Sequence, residues 1–204
     1  MAKDYGWRTH MGDAELKSTE VLLDKPKRFL RETLVMPDGE QLEWAYVDTP
    51  PSVLVVPVLP DGKLVMVYQY RYNLHRYTLE FPAGTVADDE TPEEAARREL
   101  REETGFELTE GSELRSLGTF YSLPSETNKN THMYLAGQVS PDGAAVHDSD
   151  IERFFNMSVH FRPLSLAIAE IGKSVAGTET ITALLLAERA MSVHDQQEED
   201  QEDR

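Results

Sequence analysis

Apolar and polar residues alternate, or nearly so, from Phe29 to Val35 and from Gln41 to Val47, on either side of Met36-Pro37-Asp38-Gly39. This pattern predicts two strands joined by a turn. An unbroken apolar run, Val53–Leu59, leads through Pro60-Asp61-Gly62 into Lys63–Tyr70, a second predicted pair. Tyr77–Phe81, Leu114–Tyr121 and His132–Val139 are further strand candidates. Helical signals are fewer: one helix over about Pro92–Thr104, one beginning near Leu164, and one over about Glu179–Met191. Strands and helices mix without a regular βαβ repeat, which predicts an α+β layered architecture around a mixed sheet.

The ends break the pattern. Residues 1–20 are polar and aperiodic and are expected to be loosely held, and residues 195–204 carry six acids against one Arg and read as a solvated, disordered tail. A length of 204 residues suits one domain with such ragged ends. Charge narrows the function. With 20 Lys and Arg against 37 Asp and Glu, the net charge is −17, which disfavours a broad basic face for nucleic acid or an anionic membrane. An anionic ligand then calls for a bridging metal ion. The absence of cysteine excludes disulfides, thiolate metal sites and cysteine nucleophiles. The first residues hold no stretch resembling a signal peptide, and Val53–Leu59, interrupted by Pro57, is too short to span a bilayer. A cytoplasmic protein is expected. The six histidines lack zinc-hydrolase spacing, and Lys25, Lys27, Arg28 and Arg31 read as a solvated strand edge.

The chemistry concentrates in residues 84–106, GTVADDETPEEAARRELREETGF. Thr91 can cap a helix, Pro92 suits its first position, and Glu94 completes a Thr-x-x-Glu capping box. Gly105 suits the residue just past the C-terminus. Glu99, Glu102 and Glu103 fall at i, i+3 and i+4 and therefore project from one side. Ala95 and Ala96, one turn earlier, are expected to leave room for something to approach. Like charges so spaced repel, and two of them face the unfavourable end of the helix dipole. The arrangement suggests a counter-ion. Oxygen ligands from one helix favour Mg²⁺ or Mn²⁺, which in turn implies a phosphorylated ligand. Arg98, four residues before Glu102, can orient it by an ion pair. An acid-rich helix is ordinarily a solvated face, so the wider pattern decides.

Gly84, Glu90, Arg98, Glu99, Leu100, Glu102, Glu103, Gly105 and Phe106 match, without gap or mismatch, the box that defines the Nudix hydrolases. The chain resembles that family over about residues 30–192. The resemblance implies an α/β/α sandwich and Mg²⁺- or Mn²⁺-dependent hydrolysis of a nucleoside diphosphate linked to another moiety. It implies Glu99 and Glu103 as principal metal ligands, Glu102 assisting, the Ala83 carbonyl joining, and Glu90 and Arg98 holding loop and helix in register.

Gln69-Tyr70-Arg71, Leu79-Glu80-Phe81-Pro82-Ala83-Gly84 and the segment from Gly172 to Ala187 resemble the branch of ADP-ribose pyrophosphatases and nucleoside diphosphate sugar hydrolases. By that resemblance Arg71 contacts substrate phosphates, Glu80 stands near the metals, and Trp44 is where a base stacks. A homodimer with exchanged N-terminal strands is implied, so that residues 21–48 form a β extension ahead of a hydrolase domain at 49–194. The branch's Ser-Pro-Gly turn is replaced by Leu123-Pro124-Ser125, which leaves the sugar open. Its general base would come from a late loop carrying Asp148, Asp150 and Glu152, with Glu152 and Asp150 the candidates. The alternative to an enzyme is a Nudix domain that senses a nucleotide without cleaving it.

Overall fold

The computed structural model describes residues 14–143 and 157–202, the last ten of these by backbone alone. Two contact units divide the chain: residues 1–50 with 123–129, and residues 51–122 with 130–204.

The first unit is a three-stranded antiparallel sheet of β1 (Glu15–Leu23), β2 (Arg28–Val35) and β3 (Gln41–Asp48). The β2–β3 turn closes as its sequence suggests, with the Gly39 amide donating to the Met36 carbonyl at 2.8 Å. β1 begins inside the segment expected to be loosely held, and every one of its residues is exposed. Its apolar pattern is weak because pairing with β2, not burial, specifies it. Arg28 and Arg31, from the basic cluster, pair with Asp48 at 3.1 Å and Glu20 at 2.6 Å. Residues 123–126 form the glycine-free turn, in which the Glu126 and Thr127 amides donate to the Leu123 carbonyl at 2.9 and 3.0 Å.

The second unit is built on a mixed sheet ordered β11-β5-β4-β10-β8, from β4 (Ser52–Val58), β5 (Leu64–Arg71), β8 (Phe106–Leu108), β10 (Asn130–Pro141) and β11 (Ser158–Arg162). β6 (Arg76–Glu80) pairs with β5, β7 (Ala83–Thr85) with β4, and β9 (Leu114–Tyr121) with β10. β4 and β10 are parallel; the chain between them includes helix α1 (Pro92–Thr104), as a parallel pair requires a long crossover. Helices α2 (Leu164–Ala169) and α3 (Thr178–Glu202) follow β11.

β4 explains why its sequence is continuously apolar. Val53 and Val55 pack with Ala95, Ala96 and Leu100 of α1, while Leu54 and Val56 pack with Ala167 of α2 and Ala183, Leu184 and Ala187 of α3. The sheet is therefore covered on both faces, and alternation disappears when neither face meets water. This is an α/β/α sandwich. Ala95 and Ala96 are fully buried in that packing, so they let the helix approach the sheet rather than leaving room for a ligand. The structure adds strands that no periodicity announced: β7 and β8 have three residues each, too few for a period-2 signal. The α3 backbone continues to Glu202, into the stretch expected to be disordered. Among the described residues no helix is long and apolar enough to cross a membrane.

α1 is bounded as its sequence requires. The Thr91 hydroxyl accepts from the Glu94 amide at 3.3 Å and the Glu94 carboxylate accepts from the Thr91 amide at 2.8 Å. Gly105 closes the helix at φ +72°, a conformation that costs glycine little. Thr91→Ala is expected to lower unfolding free energy by about 1 kcal/mol, read as a lower urea midpoint with unchanged slope.

Candidate active site

The acids of α1 do not form a solvated face. Glu99 and Glu103 are only 9% and 7% exposed, and ionised side chains buried to that degree are held by partners. One full turn separates them, so both carboxylates lie over the same strip of the sheet. Glu102, between them, is half-buried.

β7 explains how the two are seated. It pairs with β4 through Ala83 opposite Leu54 and Gly84 opposite Val53. The Ala83 amide donates to Glu103 Oε2 at 3.0 Å. Glu99 lies against Gly84 so closely that a Cβ there would fall 1.9 Å from Glu99 Oε1. The glycine is thus a cradle for a carboxylate, and the requirement is space rather than backbone conformation.

Arg98 joins these acids into one network. Its Nε and Nη2 donate to the two carboxylate oxygens of Glu90 at 2.8 and 2.9 Å, a bidentate pair. Nη1 donates to Glu99 Oε1 at 2.6 Å and Glu102 Oε2 at 3.0 Å, and Nη2 also reaches the Thr85 carbonyl at 3.0 Å. Hydrogen bonding from Arg98, aided by the Ala87 amide, holds the Glu90 carboxyl below the usual carboxylate range, and Arg98 is held more firmly protonated by Glu90 first and then by Glu99. A carboxyl that is more acidic in the folded state stabilises the fold above its unfolded value, about 4.3. That stability is lost as pH falls through the folded value. Glu90→Gln is therefore expected to flatten the decline in stability below about pH 4.5, measured as urea midpoints from pH 7 to pH 3. An unchanged acid limb would remove Glu90 from this role.

A second charged group lies on β5 and β6. Arg71 Nε donates to Glu80 Oε1 at 2.8 Å and Nη2 donates to Glu80 Oε2, while Thr78 Oγ1 donates to Glu80 Oε1 at 2.5 Å. The hydrogen bond to Glu80 strengthens Arg71's hold on its proton, against burial, and the charges of Glu80, Glu103 and Glu179 add to it. One acid of α1, Glu103, is therefore among the charges that act on Arg71. Trp44 is exposed on β3 of the first unit, opposite Glu32. Asp148, Asp150 and Glu152 lie outside the described residues.

Glu179 was not singled out by its sequence, where it reads as an ordinary acid in the first turn of a helix. In the fold it accepts from Ser122 Oγ at 2.5 Å and Thr131 Oγ1 at 2.6 Å. Thr131 lies 48 positions away, so no local pattern could have connected them.

The donor set fits a hard divalent cation. It is all oxygen, and two carboxylates are held beside a strand that has no side chain at Gly84 to obstruct them. Among the described residues no three His, Cys, Asp or Glu side chains gather as a ready-made metal cage. Mg²⁺ needs none, since one or two carboxylates with water and substrate phosphates suffice.

Comparison with known proteins converges on the same region. The sequence profile of the NUDIX domain matches residues 48–170. The ADP-ribose pyrophosphatase of Bacillus subtilis (strain 168) is 36% identical over 109 residues, covering 53% of this chain and 57% of that enzyme. The match thus spans little more than half of that relative's length. The methanol dehydrogenase activator of Bacillus methanolicus is 30% identical over 136 residues, covering 66% of this chain and 72% of that protein. A crystal structure described as an ADP compounds hydrolase superposes with a TM-score of 0.75 at 20% identity, covering 89% of this chain and 96% of that one, which shows the fold. With the profile spanning most of the chain, and with the box residues running from β7 through the following loop and α1 to the start of β8, the chain belongs to the Nudix hydrolase family.

Proposed function

We propose that this chain is a divalent-metal-dependent pyrophosphohydrolase that cleaves a nucleoside diphosphate sugar to a nucleoside monophosphate and a sugar phosphate. The observation carrying this reading is the burial of Glu99 and Glu103 side by side against β7. Closely placed carboxylate oxygens of this kind suit a hard divalent cation, whose remaining ligands are water and substrate phosphates.

Glu99 and Glu103 would hold the cation, Mg²⁺ or Mn²⁺, with Glu102 and the Ala83 carbonyl assisting. A bound cation polarises the phosphoryl oxygens and lowers the pKa of water. Arg98 sets the directions of Glu99 and Glu102, and Glu90 fixes Arg98 in turn. Arg71 meets the diphosphate. Glu80 takes its Nε and Nη2, so Nη1 is the edge it presents to an anion. A bond forms from water oxygen to phosphorus and the bridging P–O bond breaks. Glu152 or Asp150 takes the proton of the attacking water, and the base stacks on Trp44. The reading includes a homodimer working in the cytoplasm.

Turnover of ADP-ribose, ADP-glucose, GDP-mannose and a CDP-linked compound, each with Mg²⁺ and with Mn²⁺, tests it. Release of the monophosphate from at least one compound, abolished by EDTA, is expected. No turnover of any of them with either metal would sink the enzyme reading, and tight calorimetric binding without product would replace it with a sensor.

A further inference from the structure

Glu179 has no part in the family box, yet its position is strongly specified. It stands in the first turn of α3 and is seated by hydroxyls from two other parts of the unit, Ser122 at the end of β9 and Thr131 in β10. Thr131 Oγ1 is itself 2.8 Å from Ser52 Oγ of β4, whose hydroxyl also reaches the Asn130 carbonyl at 3.2 Å. This chain of hydroxyls ends on a half-buried carboxylate. A surface acid needs no such seat.

The packing brings the start of α3 toward the β6 strand. Ala183, one turn after Glu179, and Leu79, between Thr78 and Glu80, belong to the same buried cluster. The Leu79 amide donates to the Ser174 carbonyl at 2.8 Å, fixing the segment just before α3 to β6. Among the acids whose charge favours protonated Arg71, Glu80 comes first, then Glu103, then Glu179.

We propose that Glu179 is a positioning residue for Arg71: seated by Ser122 and Thr131, its charge works with the Glu80 ion pair to set where the guanidinium rests, and hence how that arginine meets an anionic substrate group. Glu80 alone could draw Arg71 flat against β6. A fixed negative charge on α3 opposes that collapse. The proposal rests on the diphosphate-binding role assigned to Arg71 above.

Glu179→Gln keeps the size and acceptor oxygen of the side chain and removes only its charge. For ADP-ribose hydrolysis with Mg²⁺, it is expected to raise KM by about fivefold while kcat stays within about twofold, the signature of a binding contribution. In an Arg71→Lys background, where the planar fork is gone, the same substitution should change KM by less than about 1.5-fold. In the metal-free protein the Arg71 Nε–Hε NMR resonance should move in Glu179→Gln and, by less, in Ser122→Ala, which removes one of the two seats. An unchanged or lower KM would overturn the proposal. So would the same KM factor in both backgrounds, which a purely structural role predicts, or a stationary Arg71 resonance. A wild-type protein that cleaves none of the nucleotide sugars counts against the enzyme reading instead, and the resonance then decides this proposal by itself.

Discussion

Glu103→Gln is expected to lower kcat for nucleotide-sugar hydrolysis by about 10³-fold while leaving the protein folded. The magnitude follows from asking one metal-binding charge for about 4 kcal/mol of transition-state stabilisation. The fold survives because glutamine keeps the shape and an acceptor for the Ala83 amide, which now donates to Glu103 Oε2 at 3.0 Å. At 7% exposure, a neutral amide is easier to bury than an anion, so metal-free stability should not fall. Metal linkage supplies an independent readout. A cation bound to the native state raises its melting temperature by mass action, adding about 2.7 kcal/mol of stability at a concentration of about 100 times Kd, so saturating Mg²⁺ should stabilise the wild type and should stabilise the variant much less. Wild-type turnover in the variant, or an equal Mg²⁺ response, would remove Glu103 from the metal site.

Gly84→Ala separates stability from activity in another way. The added Cβ would lie 1.9 Å from Glu99 Oε1 and 2.0 Å from its carboxyl carbon, so the carboxylate must move. The obstacle is the end of a side chain rather than backbone, and the fold should lose only about 1–2 kcal/mol. Catalysis has less tolerance. Glu99 is also held by Arg98 Nη1 at 2.6 Å, and displacing it by more than about 1 Å should cost about 10²-fold in kcat. Circular dichroism and urea melts paired with turnover would check both halves. Wild-type activity in Gly84→Ala would show that the Glu99 position seen here is not the one the chemistry uses.

The legible parts of the fold share a property: their specification is local. α1 carries its cap, its first-turn proline and its terminal glycine within 15 consecutive residues, Thr91 to Gly105, and its bounds follow from them. The β2–β3 and β4–β5 hairpins declare themselves through Pro and Gly turns. β1 does not, since all nine residues are exposed and only its pairing with β2 defines it. β7 is too short for its sequence to show a period. Its three residues bring the Ala83 amide and the bare Gly84 backbone against the carboxylates of α1.

The sequence by itself determined which chemistry is available. Three glutamates on one side of one helix, with Arg98 and Glu90 at their spacings, already implied an oxygen-rich cation site, because helical geometry converts spacing into direction without help from the rest of the chain. Whether those acids face water or the interior was a question only the tertiary structure decided, since burial depends on what packs opposite. The same holds for Glu179, whose partners Ser122 and Thr131 come from β9 and β10. Contacts between distant segments exist only once the sheet has set its strand order, and no reading confined to neighbouring residues can contain them.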